Sequence, residues 1–561
     1  MLKKKSSIDV KELASDSVIN IALDTLQRKK QALVFANTKN SAEANAERIS
    51  LEIRKKGILK EEQSVFDGLS EYLLHSLSRP TKQCERLARC AKSGVVFHHA
   101  GLTHDQKSRI EDDFRKGVIR IICCTPTLAA GMDLPAFRAI LVSLKRYSAH
   151  GLNWIPVLEY EQMSGRAGRP SYDNHGESIA IADNEKAREE IIDKFINGDV
   201  ENIYSKLAVE PVLRTYLLSL IASGFVSTKK EIIAFFSKTF WASQFGDMRQ
   251  LESIIMKTIR NLIEWKFIRQ SSKHDENGNK SYEPAKKAKA TEFMSAAEIL
   301  GFGDDIKSNE KLDSTLIGKR VAELYIDPLT AKHILECLDN EEKLESKDIS
   351  NDARCFALLQ MISHTLEIRP LLRVKAKEWD SISEDFLPFQ ECLLEKEPDL
   401  YDPDYDEFFC SVKTALFIND WVNELDEESL LEKYDIRPGE IRVKLEIADW
   451  LLYCAEEFSK LQHHQPLIKE IVKARYRVKY GVKEELLALL QLREIGRVRA
   501  RKLFSHGIKN IGDVRKADLT ALKQILGEKT AISVKKQLDQ EIRPVKENKR
   551  KGQISLEDYS E

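Results

Sequence analysis

IRIICCT (119–125), running into PTLAAGMDLPA (126–136), is the stretch that decides the fold. A continuous apolar run that ends abruptly in small and hydroxyl residues is a strand covered on both faces, not a half-exposed one. The same pattern recurs at QALVFA (31–36), GVVFHHA (94–100), AILVSL (139–144) and ESIAIA (177–182). Helical patterns lie between these runs, including SAEANAERISLEIRKK (41–56) and THDQKSRIEDDFRKG (103–117). Thr103 with Gln106 three residues later has the spacing of a capping box at the start of the second. Buried strands alternating with amphipathic helices predict a parallel α/β sheet in a first domain over residues 1–192.

Beyond residue 192 the strand signal fades. Residues 198–322 read as helices with a polar break, SSKHDENGNKSYEP (271–284), and fit a winged-helix domain. A helical block follows at 323–478, then short basic helices at 479–538. The polar tail 539–561 is expected to stay disordered until something binds it. The fold class is therefore multidomain, an α/β parallel-sheet domain followed by mostly α domains.

Composition sets the outer limits. The 561 residues, 42% apolar and 32% charged, suit three to five globular domains. No apolar run approaches the roughly 18 residues of a membrane span. The opening MLKKKSSIDVKELA lacks the apolar centre of a signal peptide, so a cytoplasmic location and no membrane partner are expected. Nine cysteines without a CxxC pair predict buried reduced thiols and no metal site. Charge is unevenly spread: residues 469–551 hold 23 Lys/Arg against 10 Asp/Glu, which leaves −14 on the rest of a chain of net −1. Such a basic end fits a polyanion partner or a solvated lysine-rich surface.

EQMSGRAGRP (161–170) carries the most chemistry. Arg166 and Arg169 stand three apart, so one helical turn would present both on one side. Gly165 and Gly168 permit close backbone approach. A guanidinium forks onto phosphate oxygens and suits charge developing on a transferred phosphoryl group, although a surface salt bridge is its plainer use. In CCTPTLAAGMDLPA (123–136) the small and hydroxyl residues after a strand make a usual ligand crevice. There Asp133 could meet a ribose or an arginine, and Thr125 and Thr127 a phosphate backbone. A turn with a helix cap explains them equally well. KRYSAHGLNWIPVLEY (145–160) reads as a β-hairpin with Tyr147 and Trp154 on its two arms. LREIGRVRARKLF (492–504) reads as a helix-hairpin-helix, with Gly496 allowing the turn. Arg497, Arg499, Arg501 and Lys502 add positive charge there.

Taken in order, QALVFANTKNSAE, VVFHHAGL, CCTPTLAAGMDLPA and EQMSGRAGRP resemble the second RecA-like domain of superfamily-2 helicases. ELYIDPLTA (323–331), KTALFINDWVNE (413–424) and RVKYGVKEELLALLQLREIGRVRARKLF (477–504) narrow the likeness to archaeal Hjm-type DNA helicases, relatives of the helicase part of DNA polymerase theta. The resemblance runs over essentially the whole chain. It implies that Gln162, Arg166 and Arg169 face ATP, the arginines as fingers, with Asp133 and Gly131 near the nucleotide. It implies that Thr38, Gly101, Thr125 and Thr127 line the path of a translocated single strand, and that the 145–160 hairpin wedges a duplex apart. It makes the helix around Trp450 a ratchet, with Arg442 beside it; the family's arginine two turns before the tryptophan is Val443 here. The end QISLEDYSE (553–561) resembles a sliding-clamp-binding peptide through Gln553, Leu556 and Tyr559, with Ser560 where a second aromatic is usual.

No G-x-x-x-x-G-K-[ST] string and no DEAH-like box occurs in the 561 residues. In the family both belong to the first RecA-like domain. The expectation is that ATP and Mg2+ are held mainly by that domain, encoded separately or cut away from this sequence, and that this chain alone is inactive as an ATPase. The leading reading is the C-terminal portion of an ATP-dependent 3′→5′ DNA helicase acting on single-stranded and forked DNA in replication-fork repair. A non-catalytic DNA-binding scaffold and an RNA helicase of the related exosome-assisting group are the alternatives.

Overall fold

The computed structural model describes residues 9–77, 79–131, 134–148, 151–168, 173–271, 311–340, 342 and 349–539. The chain divides into two compact units, Met1–Lys332 with Asp426–Glu446, and His333–Leu425 with Ile447–Glu561. Asp133, Arg169, the polar stretch 272–284, and the tail with Gln553, Leu556 and Tyr559 lie outside the described residues.

In the first unit, β1 (Ala32–Phe35), β2 (Val95–His98) and β3 (Ile121–Cys124) each fall inside one of the apolar runs, β4 (Arg138–Leu141) starts one residue before AILVSL, and every residue of all four is buried. A hairpin follows, β5 (Lys145–Ser148) with β6 (Gly151–Trp154). β7 (Glu177–Ala180) completes a five-stranded parallel sheet in the order β2-β3-β1-β4-β7. Leu33 of β1 lies opposite Ile122 of β3 and Ala139 of β4, so the first strand in sequence sits at the centre. The helix Lys39–Lys56 buries Ala42, Ala46, Ile49 and Ile53, one apolar stripe at helical spacing. The capping box of Thr103 and Gln106 is formed at the start of His104–Arg115.

One charged residue holds this domain from inside. Arg138, 1% exposed, donates from Nε to Glu177 and from Nη1 to Asp24, both at 2.6 Å. It thereby ties β4 to β7 and to the helix Ser17–Gln27. A buried guanidinium is tolerable only when fully partnered, and Thr25 Oγ1 supplies a further acceptor at 3.0 Å.

Still in the first unit, helices Glu210–Ala222, Lys229–Phe236 and Met248–Glu264 precede a two-stranded antiparallel ribbon, β8 (Ile268–Ser271) and β9 (Lys311–Ser314). Helices followed by such a wing are the winged-helix pattern. Asp327 of ELYIDPLTA binds the buried Arg214 of Glu210–Ala222 at 2.7 and 3.1 Å.

The second unit is helical. Asn351–Ser363, Tyr405–Val422 and Gln465–Tyr480 pack together around Phe356, Phe408 and Val478. KTALFINDWVNE lies mainly on the second of these. Its Lys413 is buried on Glu378 at 2.7 Å, and Trp421 Nε1 donates to the Val478 carbonyl at 2.8 Å. Gly481 (φ +65) lies against that indole; a Cβ there would come within 2.6 Å of it. Short helices from Arg497–Ser505 to Leu519–Leu526 and Glu528–Asp539 close a separate small core around Leu503, Val514 and Val534. The helix Pro438–Gln462 carries Arg442 and Trp450. All nine cysteines are free thiols, and eight are buried. Among the described residues no helix is long and apolar enough to cross a membrane.

Candidate nucleic-acid interface and nucleotide-facing motifs

In an open parallel sheet, ligands bind beyond the carboxyl ends of the strands, where the strand order reverses direction. Here the reversal lies at β1, with β3 on one side and β4 on the other. Thr38 follows β1 and Thr125 follows β3, so both stand at that edge. Thr38 is exposed and caps Lys39–Lys56, its hydroxyl accepting the Ser41 N–H at 3.1 Å. The hydroxyls of Thr125 and Thr127 bond each other at 2.9 Å. Thr127 opens the short helix Thr127–Gly131. Asn37, Thr38, Lys39, Asn40, Ala100, Thr125, Thr127 and Arg437 line one cavity of about 420 Å³. Of the residues implied for the strand path, three therefore share a single pocket.

Gly101, the fourth, is buried one turn behind it. Its N–H donates to His99 Nδ1 at 3.1 Å and its carbonyl accepts the Gly439 N–H at 3.0 Å. A Cβ on Gly101 would approach Arg437 Cδ to 2.4 Å, so the missing side chain makes room for the segment 426–446. That docking was not visible in the sequence. Asp426 pairs with Arg79 at 3.1 Å, Glu428 accepts the Lys82 N–H at 2.9 Å, and Glu440 pairs with Lys39. At the centre Glu43, 1% exposed, accepts from His99, Arg86 and Arg437. Burial pushes the Glu43 carboxyl upward, but the His99 hydrogen bond and the Arg437 and Arg86 charges outweigh it and hold the group at about 2. Burial lowers the His99 imidazole in spite of that carboxylate. Because His99 Nδ1 accepts from Gly101, the ring proton sits on Nε2 and points at Glu43.

The two glycine-rich motifs are strapped together. The Ala136 N–H donates to the Arg166 carbonyl at 2.9 Å, and the Gly168 N–H to the Ala136 carbonyl at 2.6 Å. Arg166 Nε donates to the Ala129 carbonyl at 3.1 Å. Of the two arginines, Arg166 lies within the described residues and Arg169 outside them. Val157–Ser164 ends at Gly165, which places Arg166 in the following turn, and Gly168 takes φ +96. Gly168 passes against Gly176, where a Cβ on Gly176 would meet the Gly168 nitrogen at 2.2 Å. Gln162 is exposed on the last turn of that helix.

The hairpin forms as read, with Tyr147 opposite Leu152 and Lys145 opposite Trp154. Its aromatics part company. Tyr147 is 84% exposed, whereas Trp154 is edge-on to Phe195 at 5.6 Å with the Lys145 ammonium 4.1 Å above it. On Pro438–Gln462, Arg442 is exposed and Trp450 half-buried.

At the helix-hairpin-helix, the turn is not made by glycine freedom. Gly496 is extended (φ −100), and Glu494 takes the left-handed conformation (φ +68). No atom lies within 4 Å of a Cβ built on Gly496, so the start of Arg497–Ser505 is open. The four cations there divide. Arg501 is committed to Glu424 and Glu485, and Arg497 reaches the Leu425 carbonyl at 2.8 Å and stacks on Trp421. Arg499 caps the Glu494 carbonyl at 2.7 Å from an exposed position, and Lys502 is exposed.

Comparison with known proteins accounts for most of the chain. The helicase conserved C-terminal domain matches residues 72–171, a helix-turn-helix domain 176–269, the archaeal helicase domain 4 residues 356–481, and a SAM-like helix-hairpin-helix tandem 486–540. The ATP-dependent DNA helicase Hel308 of Methanococcus vannielii is 37% identical over 522 residues, 92% of this chain and 66% of the relative. Those of Methanocella arvoryzae and Pyrococcus horikoshii are 34% and 33% identical, each over 67% of the relative. The chain thus spans about two thirds of the length of the curated relatives it matches. With that identity over about two thirds of such relatives, and with a parallel sheet, a wing and a helix-hairpin-helix of its own, the chain belongs to the Hel308 family of archaeal superfamily-2 DNA helicases.

Proposed function

We propose that this chain is the strand-tracking portion of an ATP-dependent 3′→5′ DNA helicase acting on forked DNA in replication-fork repair in the cytoplasm. The observation that carries the proposal is the pocket at the carboxyl edge of the sheet, lined by Thr38, Thr125 and Thr127 and backed by Gly101. Hydroxyls and backbone amides at such an edge suit phosphates rather than bases, as a sequence-tolerant motor requires. Gln162, Arg166 and Arg169, with Gly131 and Asp133, serve the nucleotide. Because no phosphate-cradling motif occurs in the 561 residues, ATP and Mg2+ are gripped mainly by a first RecA-like domain outside this sequence. Tyr147 and Trp154 belong to the wedge, Arg442 and Trp450 to the ratchet, and Gly496, Arg497, Arg499, Arg501 and Lys502 to a duplex-holding hairpin. The working boundaries are 1–192, 198–322, 323–478 and 479–538, with a tail at 539–561 whose Gln553, Leu556 and Tyr559 engage a sliding clamp.

The test is ATP hydrolysis on forked DNA by this chain alone and with a first-motor-domain polypeptide added. The expected result is turnover only in the mixture, abolished by Arg169→Ala. Turnover by this chain alone would overturn the division of labour. Silence in the mixture with DNA binding retained would leave a binding protein and no motor.

A further inference from the structure

Arg437 comes from 394 residues beyond Glu43 in sequence, yet it lines the pocket that holds Thr38, Thr125 and Thr127. Its guanidinium is anchored from behind, Nε on Glu43 at 3.2 Å and Nη2 on Asn40. Of its five N–H donors two are thereby used, and the other three have no protein acceptor among the described residues. Lys39 is the second cation of the same cavity, and it is held by Glu440. Both partners of that pair are about a third exposed, 32% and 29%, so the pair contributes little and is easily exchanged. One Glu440 oxygen takes the Lys39 ammonium and the other accepts the Arg437 backbone N–H at 3.2 Å, so a single anion already spans the two residues that bring positive charge to the cavity, as a phosphate oxygen would.

We infer that Arg437 and Lys39 together bind one backbone phosphodiester of the tracked single strand, and that the Glu440 carboxylate stands in for that phosphate in the unliganded protein. The inference rests on the DNA-tracking reading and deepens it, because it adds a binding residue from a remote segment and a built-in competitor. Glu43 acts as a positioning residue. It holds the guanidinium at the pocket wall, and His99 and Gly101 fix its own orientation. Phosphate binding here exchanges one ion pair for another, so occupancy responds steeply to salt and to the charge at position 440.

The experiment is anisotropy of a labelled oligothymidylate titrated with the full chain across a salt series. Arg437→Met should weaken binding about three- to tenfold and flatten the log Kd–log salt slope by about 0.7, the value of one single-strand phosphate. Glu440→Gln should tighten binding by up to about fivefold, a gain that misfolding cannot imitate. Wild-type slope in Arg437→Met together with unchanged affinity in Glu440→Gln would sink the inference and leave the tracking reading intact. Failure of the wild-type chain to bind the oligonucleotide at all would remove both.

Discussion

Glu43 Oε1 lies 3.0 Å from His99 Nε2, and the tautomer is set by Gly101, whose N–H occupies the other ring nitrogen. The pair is therefore carboxylate and neutral imidazole, and the balancing positive charge comes from Arg86 and Arg437. Acid should undo this in two stages. Glu43 is held at about 2 against an ordinary 4.5, so its contribution is complete above 4.5 and is lost as pH falls toward 2. That loss is about 3 kcal/mol, from 1.36 kcal/mol per pH unit. His99 is held below 6.5, so the unfolded chain takes up its proton first and stability begins to decline as pH falls through 6.5. Thermal midpoints measured from pH 7.5 down to about 3 should show both steps. Glu43→Gln should erase the lower one and cost about 1–3 kcal/mol at neutral pH, because Arg437 loses this carboxylate while Arg86 keeps Glu47.

Arg138 offers a sharper test of internal charge. Replacing it with methionine keeps volume but removes the buried cation from Asp24 and Glu177, leaving the half-exposed Arg28 to face both carboxylates. A loss of about 3–5 kcal/mol is expected in urea unfolding. A change below 1 kcal/mol would mean that the clamp is dispensable.

The two hairpin aromatics should respond in opposite ways. Tyr147→Ala removes an exposed ring and should leave stability within about 0.5 kcal/mol. Trp154→Ala takes away the partner of Phe195 and Lys145 and should cost about 1–3 kcal/mol. If the tip serves strand separation, Tyr147→Ala should slow fork opening in the reconstituted motor while the melting temperature stays put.

Among the four cations at the helix-hairpin-helix, the geometry predicts a division of effect. Arg499→Ala and Lys502→Ala should each weaken duplex binding and lower the salt slope by about 0.9. Arg501→Ala should chiefly loosen the fold, since its charge is spent on Glu424 and Glu485. Hydrogen exchange at Lys483, whose N–H donates to Glu424 at 3.1 Å, reads that loosening directly.

What the sequence disclosed follows from how each signal is written. Strands buried on both faces announce themselves as unbroken apolar runs, and all five fell where QALVFA, GVVFHHA, IRIICCT, the region of AILVSL and ESIAIA stand. The capping box at Thr103 is a local device and was equally plain. The return of residues 426–446 to the sheet domain was not, because acidic residues such as Glu428 and Glu440 look the same whether they face water or a distant lysine. The conformation at Glu494 was missed for a related reason: a left-handed residue other than glycine carries no compositional mark. Nor could spacing reveal that the helix before Arg166 stops at Ser164, since Gly165 permits either outcome.

The docked segment also sets a schedule for biosynthesis. The sheet can close once β7 has emerged at Ala180, but Glu43 has no Arg437 until the 257 residues from there to position 437 (437 − 180) have been made. At about 5–20 residues per second, the interval is on the order of 13–50 s. Throughout it a nascent sheet domain holds a buried carboxylate supported only by His99 and Arg86. The pocket lined by Thr38, Thr125 and Arg437 is therefore the last part of its own unit to be finished, and a ribosome stalled short of codon 437 would display a folded domain without the wall that Arg437 supplies.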